Sequence, residues 1–106
     1  MFDTIKKLFG IEKTDYVQLM ADGAIILDVR SNGEFSTGHI KGSINIPVDK
    51  LAANLHKLKE KNKPIITCCA SGVRSASAKG ILQTNGYANV HNGGAWQSLK
   101  RKINTV

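Results

Sequence analysis

The residues best suited to chemistry are two adjacent cysteines, Cys68 and Cys69, in the segment Pro64–Ser77, PIITCCASGVRSAS. A short glycine-containing loop and an arginine follow them. Within this run Cys69, Gly72 and Arg74 have a spacing with a physical logic. A loop curling back on its own cysteine aims successive backbone N–H groups inward, and Gly72 permits backbone angles that residues with a side chain resist. A helix starting just beyond adds partial positive charge and unpaired donors at its N-terminus. Arg74 supplies a permanent cation able to hold an oxyanion through two parallel hydrogen bonds. Together these favour a thiolate. An ordinary cysteine with a pKa of about 8.5 is only a few per cent ionised at neutral pH, whereas helix N-termini and cationic neighbours bring it to roughly 3.5–7.5. A lowering of about two units needs about 2.7 kcal/mol, which a dipole and one arginine can supply. The same surroundings stabilise a persulfide anion, R–S–S⁻, formed when a thiolate attacks the outer sulfur of a sulfane donor. Neighbouring strand residues point to opposite faces, so only one of the two cysteines can face the loop. With Gly72 and Arg74 the candidate is Cys69, and Cys68 is better read as core, although its own spacing to Arg74 keeps it as a rival.

The elements that position this loop follow from periodicity. Ala24–Val29 (AIILDV) and Ile65-Ile66-Thr67-Cys68 are short apolar runs of the kind buried on both faces of a parallel sheet. Asn45-Ile46-Pro47 predicts a brief extended piece, and Asn89-Val90-His91 a last short strand. Asp49 is placed to cap a helix with Leu51, Leu55 and Leu58 at i, i+4 and i+7. A second helix is expected from about Arg74, with Asn85-Gly86 as its stop. Asn92-Gly93-Gly94 reads as a turn, and Trp96–Lys102 as a closing helix. Two more helices are expected before the first strand, in Thr4–Phe9 and Asp15–Met20. Alternation of strand and helix predicts one α/β domain, a mostly parallel sheet covered on both faces. The loop after Cys69 then lies at a strand's carboxyl end, where such sheets place ligands.

Composition narrows the function classes. At 106 residues and 42% hydrophobic content the chain suits a single core. No stretch approaches the roughly 18 apolar residues of a membrane span, and no secretory h-region is seen, so a cytoplasmic protein is expected. The net charge is +7 and unevenly spread: all eight acids fall in residues 1–60. Residues 61–106 contain none, but carry Lys61, Lys63, Arg74, Lys79, Lys100, Arg101 and Lys102. A positive field around a cysteine favours its thiolate and attracts small anions, while Lys61, Lys63 and the Lys100–Lys102 cluster are read as a solvated basic surface. No nucleic-acid motif accompanies it, and six scattered aromatics make no stacking platform. Adjacent cysteines cannot staple a fold, and no metal-ligand spacing exists, so reduced thiols, no metal and no cofactor are expected. The segment Phe2, Ile5, Leu8, Phe9 with Lys6 and Lys7 is amphipathic. It sets residues 1–13 apart as an extension from a domain spanning 14–106, expected to pack on the domain's own surface.

With these residues in view, a resemblance becomes specific. CASGVRSAS from Cys69 resembles the active-site loop of the rhodanese family, a Cys with Gly three residues on and Arg or Thr five residues on. LDVRSNGEFSTGHIKGSINIP (Leu27–Pro47) is similar to that family's upstream signature. The resemblance implies a rhodanese-like three-layer α/β fold and a sulfurtransferase. It makes Cys69 the persulfide carrier and the backbone of Ala70, Ser71, Gly72, Val73 and Arg74 its cradle, with Ser75 beside it and Arg74 binding the donor. It further implies a small anionic sulfur donor such as thiosulfate, or a persulfide, and a protein or low-molecular-weight thiol as acceptor. Asp28, Arg30 and Glu34 are read as an ion-pair and turn-capping set. His39 is read as a hydrogen-bonder holding a loop, since an already ionised thiolate needs no base.

Two other readings compete. Cys68 and Arg74 also satisfy the C-x₅-R phosphate loop of cysteine phosphatases and arsenate reductases. Against this, Val73 stands where that loop favours Gly, and residues 61–106 offer no acid for a leaving alcohol. The other alternative is a non-catalytic rhodanese-like module that binds a partner; the cysteine and loop glycine both argue for chemistry.

Overall fold

The computed structural model of the protein describes residues 14–104. The extension expected over residues 1–13, with its helix at Thr4–Phe9, lies outside the described residues. Four parallel strands form one sheet in the order β2-β1-β3-β4: β1 Ile25–Asp28, β2 Ile44–Asn45, β3 Ile65–Cys69 and β4 Val90–Ala95. Among the described residues four α-helices accompany them, α1 Tyr16–Ala21, α2 Asn32–Thr37, α3 Val73–Thr84 and α4 Trp96–Ile103. The architecture is the three-layer α/β arrangement read from the sequence.

All five residues of β3 are buried, as its unbroken apolar run requires of a strand with neighbours on both edges and layers on both faces. Alternation along β1 and β3 sends their side chains to two separate cores. Leu27, Val29, Ile65 and Cys69 join Ala78 and Leu82 of α3 and the segment around Leu51 and Leu58. Ile26, Ile66 and Cys68 join Leu99 of α4, with Tyr16, Leu19 and Met20 of α1 packed alongside. The two cysteines therefore belong to different layers.

Three expectations need correction. Residues after Pro47 form two 3₁₀ turns, Val48–Lys50 and Ala52–Lys57, rather than an α-helix capped by Asp49. Asn54 breaks the spiral with φ −124° and ψ 21°, and its side chain donates to the Lys50 carbonyl at 2.8 Å. Leu51 and Leu58 are nonetheless buried, and the Tyr87 hydroxyl lies 2.6 Å from the Leu58 carbonyl, holding the turns to the core. Asn92-Gly93-Gly94 is no turn; β4 runs through it, with an irregular register opposite Thr67 and Cys69. A Cβ on Gly93 would lie 2.8 Å from Ile66 and 2.9 Å from Leu99 and the Thr67 carbonyl, so the strand passes where only glycine fits. The helix α2 was not expected. Its signal is a capping box: the Ser31 hydroxyl accepts from the Glu34 amide at 3.2 Å, and Glu34 accepts from the Ser31 amide at 3.1 Å.

Candidate active site

Cys69 ends β3, and Gly72, the N-cap of α3, has φ +103°, a left-handed conformation that residues with a Cβ rarely adopt. A Cβ there would also approach Gly94 Cα to 3.4 Å. The reversal turns the loop back over the sulfur. The Gly72 amide donates to Cys69 Sγ at 3.0 Å and the Ser75 amide at 3.4 Å, with Ser75 Oγ also 3.4 Å away. Ala70 and Val73 lie exposed on the rim, and Cys69 is fully buried at the floor.

Opposing effects set the thiol's acidity. Burial on its own raises the Cys69 pKa. The Ser75 hydroxyl and amide and the Ser71 and Gly72 amides outweigh it, and the net shift is downward. Cys68 is different in every respect. Burial, then the charge of Asp28, pushes its thiol up to about 12. Its side chain packs with Ile26, Ile40, Ile66 and Leu99. The Cys68-x₅-Arg74 reading therefore fails on geometry, because the sulfur it needs faces away from the loop.

Strand β4 supplies a residue that sequence reasoning missed. Asn92 Oδ1 lies 2.6 Å from Ser75 Oγ and accepts from the Gly94 amide at 2.9 Å, while its Nδ2 donates to the Gly72 carbonyl at 3.3 Å. Ser75 has one hydroxyl proton and several acceptors in reach. Beside a neutral thiol it donates to Asn92 and accepts from the S–H. Beside a thiolate it can turn to the sulfur, and the Gly94 amide still satisfies Asn92. Thr67 Oγ1 adds a bond to the Ser75 carbonyl at 2.9 Å, fixing the first turn of α3 to β3.

The upstream motif divides into two roles. Asp28 and Arg30 form a buried ion pair at 2.7 Å. Arg30 also donates to the Gly38 carbonyl at 2.7 Å, and its guanidinium lies 4.7 Å from the centre of the Trp96 ring. These contacts tie the turn after β1 to α4, away from the sulfur. Glu34 belongs with the loop instead. Its oxygens receive Arg74 at 2.7 and 3.0 Å, and its carboxyl pKa falls from 4.5 to about 2. Arg74 hydrogen bonding is the main cause, followed by the Ser31 amide and hydroxyl. His39 is exposed, hydrogen-bonded to the Phe35 carbonyl at 2.8 Å and stacked on the Phe35 ring at 3.7 Å. The structure thus brings Ser71, Gly72, Ser75 and Asn92 around Cys69, joins Arg74 to Glu34, and sets Asp28, Arg30 and His39 apart.

One parallel sheet between two helical layers, with a cysteine cradled at the carboxyl end of β3, defines a class, and residues 12–100 match the rhodanese-like domain. The chain belongs to that family. It is 33% identical over 73 residues to the thiosulfate sulfurtransferase GlpE of Haemophilus influenzae, covering 69% of each chain. It is 36% identical over 69 residues to the uncharacterized protein YqhL of Bacillus subtilis, covering 65% of this chain and 54% of that one. Rhodanese from E. coli, solved with anions, superposes with a TM-score of 0.67 at 30% identity, covering 71% of this chain and 89% of that one. The family domain also occurs within larger proteins: a tRNA uridine(34) hydroxylase of Cronobacter sakazakii is 32% identical over 72 residues, which span only 21% of its length. The chain thus spans about half of YqhL and about a fifth of that hydroxylase. Among the described residues no helix is long and apolar enough to cross a membrane.

Proposed function

We propose that the chain is a sulfurtransferase that carries a sulfur atom on Cys69. The Cys69 thiolate attacks the outer sulfur of a donor. With thiosulfate, the S–S bond of the donor breaks, Cys69–S–S⁻ forms and sulfite leaves with the bonding electron pair. With a persulfide R–S–SH, Cys69–S–SH forms and RS⁻ leaves. In the second half, an acceptor nucleophile, cyanide or a thiolate, takes the outer sulfur and restores the Cys69 thiolate. The transfer step itself needs no base, because the attacking species is the thiolate, which the lowered Cys69 pKa favours, and the leaving groups are anions. The amides around the sulfur favour negative charge before and after transfer.

One observation carries this reading: a fully buried thiol whose pKa is lowered because hydrogen-bond donors converge on its sulfur. An inert structural cysteine in apolar surroundings shifts upward, as Cys68 does. Similarity to the Haemophilus thiosulfate sulfurtransferase supports the same assignment. Intact mass after exposure to thiosulfate or to a persulfide tests it. The expected result is a gain of one sulfur atom, reversed by reductant and lost in Cys69→Ser. Uptake that persists in Cys69→Ser overturns it.

A further inference from the structure

Arg74, the cation expected to meet an anionic donor, is already engaged. Its two terminal nitrogens donate in parallel to the two oxygens of Glu34, at 2.7 and 3.0 Å. The carboxylate is held in place from the other side. Glu34 Oε1 also accepts from the Ser31 amide at 3.1 Å and the Ser31 hydroxyl at 3.0 Å, so the capping box of α2 anchors it. The two partners come from positions 40 residues apart, and the pair spans from α2 to the first turn of α3. Both side chains are half exposed, 37% for Arg74 and 39% for Glu34, so the pair meets solvent beside the loop. Arg74 precedes Ser75, whose amide reaches the sulfur, which places the pair at the edge of the cradle.

We propose that Glu34 determines the charge preference of the site: by neutralising Arg74 it disfavours small doubly charged donors and directs the site towards sulfane donors with one negative charge or none, such as persulfides. The proposal rests on the sulfurtransferase reading and names its substrate class. A dianion such as thiosulfate must either displace an anchored carboxylate from Arg74 or settle beside it; both oppose binding. A persulfide presents its outer sulfur with at most one charge and needs no free guanidinium. Glu34 acts through Arg74 and touches no reacting atom, which makes it a positioning residue for specificity.

The test uses the whole chain and two alkylating reagents of similar size, iodoacetate with one negative charge and iodoacetamide with none. The ratio of their rates at Cys69 cancels the thiolate fraction and reads the local field. In Glu34→Gln this ratio should rise roughly threefold to tenfold, the effect of removing one nearby, partly screened charge. Glutamine still suits the capping box, so the fold is expected to hold. Glu34→Asp, which keeps the charge, should restore the ratio towards the unmodified value; a merely structural role for Glu34 would not track charge in this way. In parallel, the KM for thiosulfate should fall in Glu34→Gln, while the KM for a neutral persulfide donor stays within about twofold. An unmoved or lowered ratio overturns the proposal, as does a Cys69 that neither reagent alkylates. Failure of the sulfurtransferase reading looks different: the unmodified protein then gains no sulfur from either donor, whatever the alkylation ratio does.

Discussion

Across β3 the side chains of Cys68 and Cys69 enter opposite layers, and the two sides of the strand treat a thiol in opposite ways. Both residues are fully buried. On the α1/α4 side, Cys68 sits among Ile26, Ile40, Ile66 and Leu99, and burial, then the Asp28 charge, pushes its thiol up to about 12. On the α3 side, the Gly72 and Ser75 amides meet the Cys69 sulfur and lower its pKa. Burial by itself therefore does not decide reactivity; the direction of nearby N–H dipoles does. Strand alternation assigns each cysteine to its side, and a left-handed Gly72 followed by a helix supplies the dipoles to one of them.

The contrast is broken most decisively by exchanging the sulfurs one at a time. Cys69→Ser should abolish sulfur uptake measured by intact mass, whereas Cys68→Ser should retain it. The latter should also lose roughly 1–3 kcal/mol of stability in urea unfolding, because it buries a hydroxyl among apolar groups. Retained uptake in Cys69→Ser, or its loss in a folded Cys68→Ser, would collapse the distinction. Gly93→Ala probes the packing on the Cys68 side, since its methyl would collide with Ile66, Leu99 and the Thr67 carbonyl. A loss of about 1–3 kcal/mol is expected from the overpacking. Ser75→Ala sharpens the Cys69 side. Loss of the hydroxyl should move the pH profile of Cys69 alkylation upward and slow the neutral-pH rate by up to about tenfold, one pKa unit. The smallest effect concerns the rim. Glu34 has its pKa depressed from 4.5 to about 2, so the stability it contributes is present above pH 4.5 and fades as pH falls towards 2. Removing the carboxylate in Glu34→Gln should flatten that part of an acid-unfolding curve only slightly, because the pair is half exposed.

Much of this was legible in the sequence where local rules govern. The apolar runs at Ala24–Val29 and from Ile65 marked the central strands, and the helix expected from about Arg74 starts at Val73. Asp15, expected at the start of a helix, accepts from the Gln18 amide and caps α1. What stayed hidden depends on partners distant along the chain. Asn92 reaches Ser75 across 17 residues, and no local pattern announces it. Glu34 was grouped with Asp28 and Arg30 because they are neighbours in sequence, yet its charge is matched by Arg74. Asn92-Gly93-Gly94 looked like a turn on composition, but the glycines serve close packing against β3. The Leu51–Leu58 periodicity gave the burial correctly and the helix type wrongly, since Asn54 leaves the helical conformation. The Ser31–Glu34 capping box was readable and overlooked, so α2 was a missed signal rather than an absent one.

The central claim is that donors converging on one sulfur lower its pKa where burial raises that of its neighbour. The most direct measurement is the pH dependence of alkylation at each cysteine, resolved by peptide mass in the native chain. Cys69 should reach half of its maximal rate below the ordinary thiol pKa of about 8.5, while Cys68 stays unmodified until the fold opens. A Cys69 midpoint at or above the ordinary value, or equal reactivity of the two cysteines in the folded chain, would contradict the account.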